Sequence, residues 1–238
     1  MTRLSREEKK ELTTSQLLET ASRIFLERGY HRTTLDDIAD AMDMTKGAVY
    51  ARFATKDELF FALYARWQEK LIARLDTLPN VKTWDEVGLE TARRAIVSRR
   101  EDADFHLLLL EFWTYAARNE RLRQEFAARH NHHLERIAAW LETMAAKLGV
   151  KLEISALEMA RAGSAMLHGY TLERLADPVG VPEELVEFML KALGHEAVGV
   201  HEDTQTPLMK SSRKAQTSRL LRRTRDGNHD AAVKVKTR

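Results

Sequence analysis

Only three residues, Asp43 to Thr45, separate two segments of helical periodicity in this chain. In the first segment Thr34 stands at the cap, and Leu35, Ile38, Ala39 and Met42 follow at i, i+3, i+4 and i+7. That spacing puts all four on one face of a helix. Asp36 and Asp37 occupy its first turn, where carboxylates favour the positive helix end. Three residues is the length a helix-turn-helix uses to set two helices steeply across each other.

The second helix, predicted over 45–53, is mostly unlike a core helix. Val49 and Phe53 point inward, while Gly47 and Ala51 lie on the opposite side, flanked by Ala48 and Tyr50. A face so bare of bulk fits a helix whose backbone presses into a major groove, with alanine methyls free to meet thymine methyls. Thr45 and Lys46 at the helix start, and Tyr50, are placed to bind phosphates, assisted by the helix dipole. Arg52 adds a further phosphate contact. Double-stranded DNA is the partner this pattern predicts.

The remainder reads as helix. Glycine (10) and proline (4) are scarce in the 238 residues, and strand-like alternation is hard to find. The spacing predicts a first helix over 14–28, opened by a capping box of Thr13 and Gln16 and closed at Gly29. A second capping box, Thr55 with Glu58, opens a helix running to about Asp76, broken by Leu78-Pro79-Asn80. Further helices are expected at 83–101, 103–118, 120–148, 153–176 and 182–193. The fold class is therefore all-α: a three-helix DNA-binding domain over 1–60, then a larger helical domain over 61–200. The net charge of +2 conceals a basic tail, with ten Lys/Arg and two Asp over 210–238, so that residues 1–209 sum to about −6. The segment 201–238 is expected to be disordered. With no cysteine, no apolar stretch at the N-terminus and no run long enough for a bilayer, a cytoplasmic protein without a membrane partner is expected.

Other clusters carry less. Asp36, Asp37 and Asp40 read as a solvated helix start, and among His130, His132 and His133 only the i, i+3 pair has a ligand spacing, so no metal or cofactor is expected. Glu111 interrupts the apolar stretch LLLLEFWTY but shares a polar face with Asp104 and Arg118, which places it in solvent. Phe105, Leu109, Phe112 and Trp113 must be buried, either in a filled core or around a cavity. Ala156, Ala160, Gly163 and Leu167 form a narrow small-residue face continued by Tyr170, suited either to packing within the subunit or to close approach between subunits.

The pieces ASRIFLERGYHRTTLDDIADAM, TKGAVYARF and TKDELFFAL make residues 12–67 resemble the N-terminal domain of the TetR family of bacterial transcriptional regulators. The matching positions include Gly29, Thr33-Thr34, Lys46-Gly47, Tyr50, Phe53 and Lys56-Asp57. Two positions depart from the pattern: Asp43 replaces a turn glycine and Arg52 a common aromatic. The resemblance implies a DNA-binding surface extended to Thr33, Thr34 and Lys56. It also implies a homodimer on a palindromic operator, most simply as a repressor, built through 153–176 and 182–193 with Leu185, Phe188 and Met189 at the interface. A small apolar or amphipathic effector would sit near Phe105, Leu109, Phe112 and Trp113. Two alternatives stay open: a ligand-independent dimeric DNA-binding protein, and an enzyme using the C-terminal helices, for which no catalytic constellation can be made out.

Overall fold

The structure, a computed structural model, describes residues 5–78 and 80–198. Pro79 and the basic tail lie outside the described residues. Within them the chain forms nine helices and no strand: α1 (Arg6–Arg28), α2 (Leu35–Ala41), α3 (Lys46–Tyr50), α4 (Lys56–Asp76), α5 (Trp84–Glu101), α6 (Ala103–Ala116), α7 (Glu120–Leu148), α8 (Ala156–Ala176) and α9 (Glu184–Ala197).

Side-chain caps set most of the helix starts. α1 begins two turns earlier than its apolar face predicts, at a reciprocal capping box between Ser5 and Glu8. Thr13, expected as the cap, lies inside the helix and returns its hydroxyl to the Lys9 carbonyl at 2.8 Å. The extra turns carry no buried residue, which is why periodicity could not register them. Thr55 caps α4 as expected, but Glu58 does not complete the box; its carboxylate accepts from the Ala54 N–H instead, at 2.8 Å. α8 starts at 156 rather than 153, at a Ser155–Glu158 box, and α9 runs on to Ala197.

Two larger cores, with a small one of Ala92, Tyr170, Val186 and Leu190 between α5, α8 and α9, organise the helices. One gathers α1 to α4 with α6 and the start of α7: Leu17, Ile24, Phe25, Ile38, Val49, Phe60, Leu109 and Phe112 are all buried there. Phe112 is its hub. Its ring stacks on Phe60 at 3.8 Å between centroids and meets Tyr30 and Phe61 edge-on at 5.0 and 5.3 Å. The neighbouring Glu111 accepts the Tyr30 N–H at 2.9 Å, beside Gly29, which ends α1 at φ +79. Glu111 is thus a partner for the end of α1 rather than a solvated charge. The other core joins the N-terminal part of α5 to α7, α8 and the end of α9 through Trp84, Leu134, Leu141, Met159 and Ala197.

Phe105, Leu109 and Phe112 fill the first core, with Trp113 partly buried at its edge. The small-residue face of α8 turns into the subunit: Ala156, Ala160 and Tyr170 are buried, and a Cβ on Gly163 would meet Leu193 and Leu190 at 3.6–3.7 Å. The small-residue face expected to meet a second subunit is therefore covered within this chain, and Leu167 packs beside Val186 and Leu190.

Phe112→Ala removes the hub of the aromatic lattice. It is expected to cost about 3–5 kcal/mol and to lower the melting temperature by roughly 10 °C, measured by thermal denaturation followed by circular dichroism. A loss below about 1 kcal/mol would show that the lattice does not depend on this ring.

Candidate DNA-binding surface and interior cavity

The turn between α2 and α3 is built as its length requires. Asp43 adopts φ +51, the only non-glycine residue with positive φ among those described, and the Met44 N–H returns to the Ala39 carbonyl at 3.0 Å. Asp takes this left-handed conformation at lower cost than most residues because its short side chain can bond locally. Thr34 and Asp37 close a reciprocal box at the head of α2, and Thr45 caps α3 by accepting the Ala48 N–H.

α3 is anchored by one side chain, Val49, which is wholly buried. Its other face is open. Thr45, Lys46, Gly47 and Ala51 are exposed and Tyr50 is 48 % exposed. A Cβ placed on Gly47 would meet nothing within 4 Å, so no contact inside the protein explains a glycine there. Ala48 is half-buried.

The flanking residues divide. Lys46 reaches back to Asp36 at 2.6 Å, an exposed pair that a phosphate would have to replace. Arg52 folds onto its own helix, donating to the Ala48 carbonyl at 2.9 Å. Lys56 donates to the Tyr30 carbonyl at 2.8 Å and lies over the Tyr30 ring at 4.3 Å; partial burial there lowers its pKa. Thr33 is a correction to the expected surface. It is fully buried, with its hydroxyl donated to the Gly29 carbonyl at 2.9 Å, so it fixes the loop after α1 and cannot reach DNA. Thr34 is exposed, its hydroxyl held by Asp37.

A cavity of about 180 Å³ lies among α4 to α9. Its wall is mostly carbon, from residues such as Leu71, Trp84, Ile137, Leu141, Met159 and Leu193, into which Arg74, Arg94, Arg99 and four histidines project. Phe105, Leu109, Phe112 and Trp113 are not in this wall. They stand on the other faces of α6, and Trp113 reaches the cavity only from behind, touching the rings of His168 and His130 at 4.8 and 5.2 Å. The α6 residue that lines the cavity is His106. Periodicity identified the buried side of α6 but not which of its two buried neighbours leaves space.

Burial holds the cavity histidines neutral. It lowers His106 to about 3 and His133 and His168 to about 4, with Arg99 and Arg74 adding to the effect on His106, Arg99 and His130 on His168, and His130 and Arg136 on His133. The His130 Nδ1 lies 3.0 Å from the Tyr64 hydroxyl. Because the unfolded chain binds these protons near pH 6.5 and the folded chain does not, stability is full above that pH and falls as the solution is acidified toward pH 4. The expected slope is on the order of 1 kcal/mol per histidine per pH unit, read as a drop in melting temperature between pH 7 and pH 5. A melting temperature unchanged over that interval would contradict the buried neutral state.

Comparison with known proteins agrees with this geometry. The family model described as bacterial regulatory proteins of the tetR family matches residues 17–63, which span the end of α1 to the middle of α4. The transcriptional regulator TtgR of Pseudomonas putida is 48 % identical over 63 residues, 26 % of this chain and 30 % of that protein. The chain spans about a third of the length of the first curated relatives it matches. Over the whole fold, Salmonella enterica GusR superposes with a TM-score of 0.63 at 22 % identity, covering 81 % of this chain and 98 % of that one. A transcriptional regulator of Saccharomonospora viridis, solved in complex with choline, gives 0.58 at 22 % identity, covering 76 % and 95 %. At that identity these likenesses establish the fold. Residues 17–63 thus match the tetR family of bacterial regulatory proteins, and the helical architecture that follows is similar to that of the solved regulators.

Proposed function

We propose that this protein is a homodimeric transcriptional regulator that binds a palindromic operator through α3 and is released from it by a small molecule held in the interior cavity. The observation that carries the reading is the open face of α3. One buried valine fixes the helix, and Thr45, Lys46, Gly47 and Tyr50 stand outward with nothing of the protein above Gly47. A glycine is needed there if the facing backbone is that of DNA. With no long side chain but Tyr50 at its centre, α3 reads bases sparingly, and DNA shape contributes much of the specificity.

Two-fold pairing follows from the surfaces of α8 and α9. Ala165, Gly169, Leu172 and Ala176 fall along one exposed face of α8, and Leu185 and Phe188 project from α9. Leu172 is 54 % and Phe188 68 % exposed, apolar area that an isologous four-helix contact would cover. Met189 is half-buried beneath them. This face replaces the buried small-residue face as the proposed interface.

The effector reading rests on α4. Its first half packs Leu59, Phe60 and Phe61 into the core beneath α3, while Tyr64, Trp67, Leu71, Arg74 and Leu75 line the cavity. A molecule that binds better when α4 is displaced shifts the population away from the DNA-competent spacing. The structural neighbour recorded with choline supports a small-molecule role for this fold.

Selection of bound fragments from sheared source-genome DNA tests the whole reading: a recovered palindrome supports it, and retention without enrichment of any site counts against it. Gly47→Leu is expected to melt within a few degrees of the wild type yet bind the recovered operator at least tenfold more weakly; equal binding would remove α3 from the interface. Lys46→Ala should weaken all DNA sequences alike and reduce the salt slope by about one, and an unchanged slope would rule out its phosphate contact. Phe188→Glu should sediment as a monomer and lose operator affinity; a dimer that persists would place the interface elsewhere.

A further inference from the structure

The cavity is chemically one-sided. Three arginines line it and no aspartate or glutamate does. Arg74 is matched by Asp102 and Glu101 at the rim, and Arg94 spends its terminal nitrogens on the Thr77 hydroxyl and carbonyl at the end of α4. Arg99 is different. Its side chain is deep enough for burial to lower its pKa to about 10, yet among the described residues it has no carboxylate partner. Nη1 donates only to the Ala95 carbonyl of its own helix at 3.3 Å, and the buried Nε donates to nothing. The acids close in sequence are committed elsewhere, Glu101 to Arg74 and Asp102 to Lys70 and Arg74, and Glu183 is held by the adjacent Arg100. Arg99 is half-buried with its Nε shielded and unpaired, and a guanidinium drawn partly out of water without a counter-charge carries a desolvation cost that a bound anion would offset.

Other lining residues also carry unpartnered polar atoms, among them Arg94 Nε and His133 Nδ1. Trp67 Nε1 and both ring nitrogens of His106 are buried without a partner, and the two rings meet edge-on at 5.1 Å. The indole can only donate, and a neutral imidazole donates from one nitrogen. Arg99, Trp67 and His106, all lining the cavity, thus each carry an N–H without a protein acceptor. At the far end of α5, roughly 22 Å away by helical rise, Trp84 has already donated its N–H to the Gly194 carbonyl at 2.9 Å. That end, with Leu141, Met159 and Leu193, presents carbon. The volume of about 180 Å³ exceeds the roughly 150 Å³ that holds benzene.

We infer that the cavity takes an amphipathic organic carboxylate, its apolar body toward Trp84 and Leu141 and its carboxylate on Arg99, with Trp67 and His106 as further donors. An ionised carboxylate accepts only, through two oxygens, and matches the guanidinium fork in charge and shape. This inference rests on the cavity being the effector site and adds the class of molecule.

Three probes of equal chain length separate the possibilities: octanoate, 1-octanol and octyltrimethylammonium, titrated against the full-length protein at pH 7.5. Binding is followed by calorimetry and by the fluorescence of Trp67, Trp84 and Trp140, which line the cavity. Octanoate is expected to bind at least tenfold more tightly than either other probe. Arg99→Gln should weaken octanoate at least tenfold and leave octanol unchanged. Without ligand, Arg99→Met should melt at or above the wild-type temperature, since it removes an unpaired buried charge, and octanoate should raise only the wild-type value. Octanol binding as tightly as octanoate would overturn the carboxylate assignment while leaving an apolar effector cavity in place. Failure of all three probes to bind would overturn the assignment and the effector reading together. A clear fall in the unliganded melting temperature of Arg99→Met would make the guanidinium a structural strut and overturn the assignment.

Discussion

The arrangement depends on two adjacent residues of α6. Phe112 stacks on Phe60 of α4 and meets Tyr30 after α1, while Glu111 accepts the Tyr30 N–H. Tyr30 is bound on every side: Lys56 lies over its ring and donates to its carbonyl, and Asp57 accepts its hydroxyl. Burial and that carboxylate raise the Tyr30 pKa, so it remains a donor at any physiological pH. The loop after α1, the start of α4 and the middle of α6 thereby form one block. Removing a ring from such a packed lattice forfeits both apolar burial and aromatic contact geometry, and a close-packed interior relaxes only partly to fill the gap.

That block explains why the two ends of α4 differ. The first two turns are fixed in an aromatic core with every ring in contact. The next three turns border a space and carry Trp67 with an unpartnered N–H and Arg74 held at the rim by Asp102. Phe60 and Val49 share one core, so the start of α4 and α3 are packed through the same side chains, and under the proposed release a ligand need only favour one of two α4 positions by a few kcal/mol.

The parts legible in sequence were those governed by short-range rules. The α2–turn–α3 unit follows from a cap, four apolar positions and three residues of turn, and Asp43 adopts the left-handed conformation that the turn demands. Caps at Thr34, Thr45 and Thr55 are equally local. What periodicity cannot state is the identity of the facing element. Gly163 is small because Leu190 and Leu193 of α9 come close, a choice of partner that lies 27 or more residues away. Glu111 looked solvated because its helical neighbours are polar, yet the group that faces it, the Tyr30 N–H, comes from 81 residues earlier. Thr33 entered the expected surface through the resemblance alone, and its hydroxyl is instead taken by the Gly29 carbonyl four residues earlier.

The same distinction separates the two candidate sites. On α3, function is written in what is missing from an exposed helix, and a missing side chain is visible in sequence. In the cavity it is written in what is missing from the surroundings of a buried one. Arg99 is one of 38 basic residues in a chain with 36 acidic ones, and nothing in its neighbourhood SRREDADF suggests that it lacks a partner. Asp102 and Glu101 follow it within three residues, and an exposed helix would pair one of them with it. Folding instead gives both to Arg74, which approaches from α4, and leaves Arg99 turned inward. Arg74 thus holds the two carboxylates that follow Arg99 in sequence, and among the described residues Arg99 lines the cavity without one.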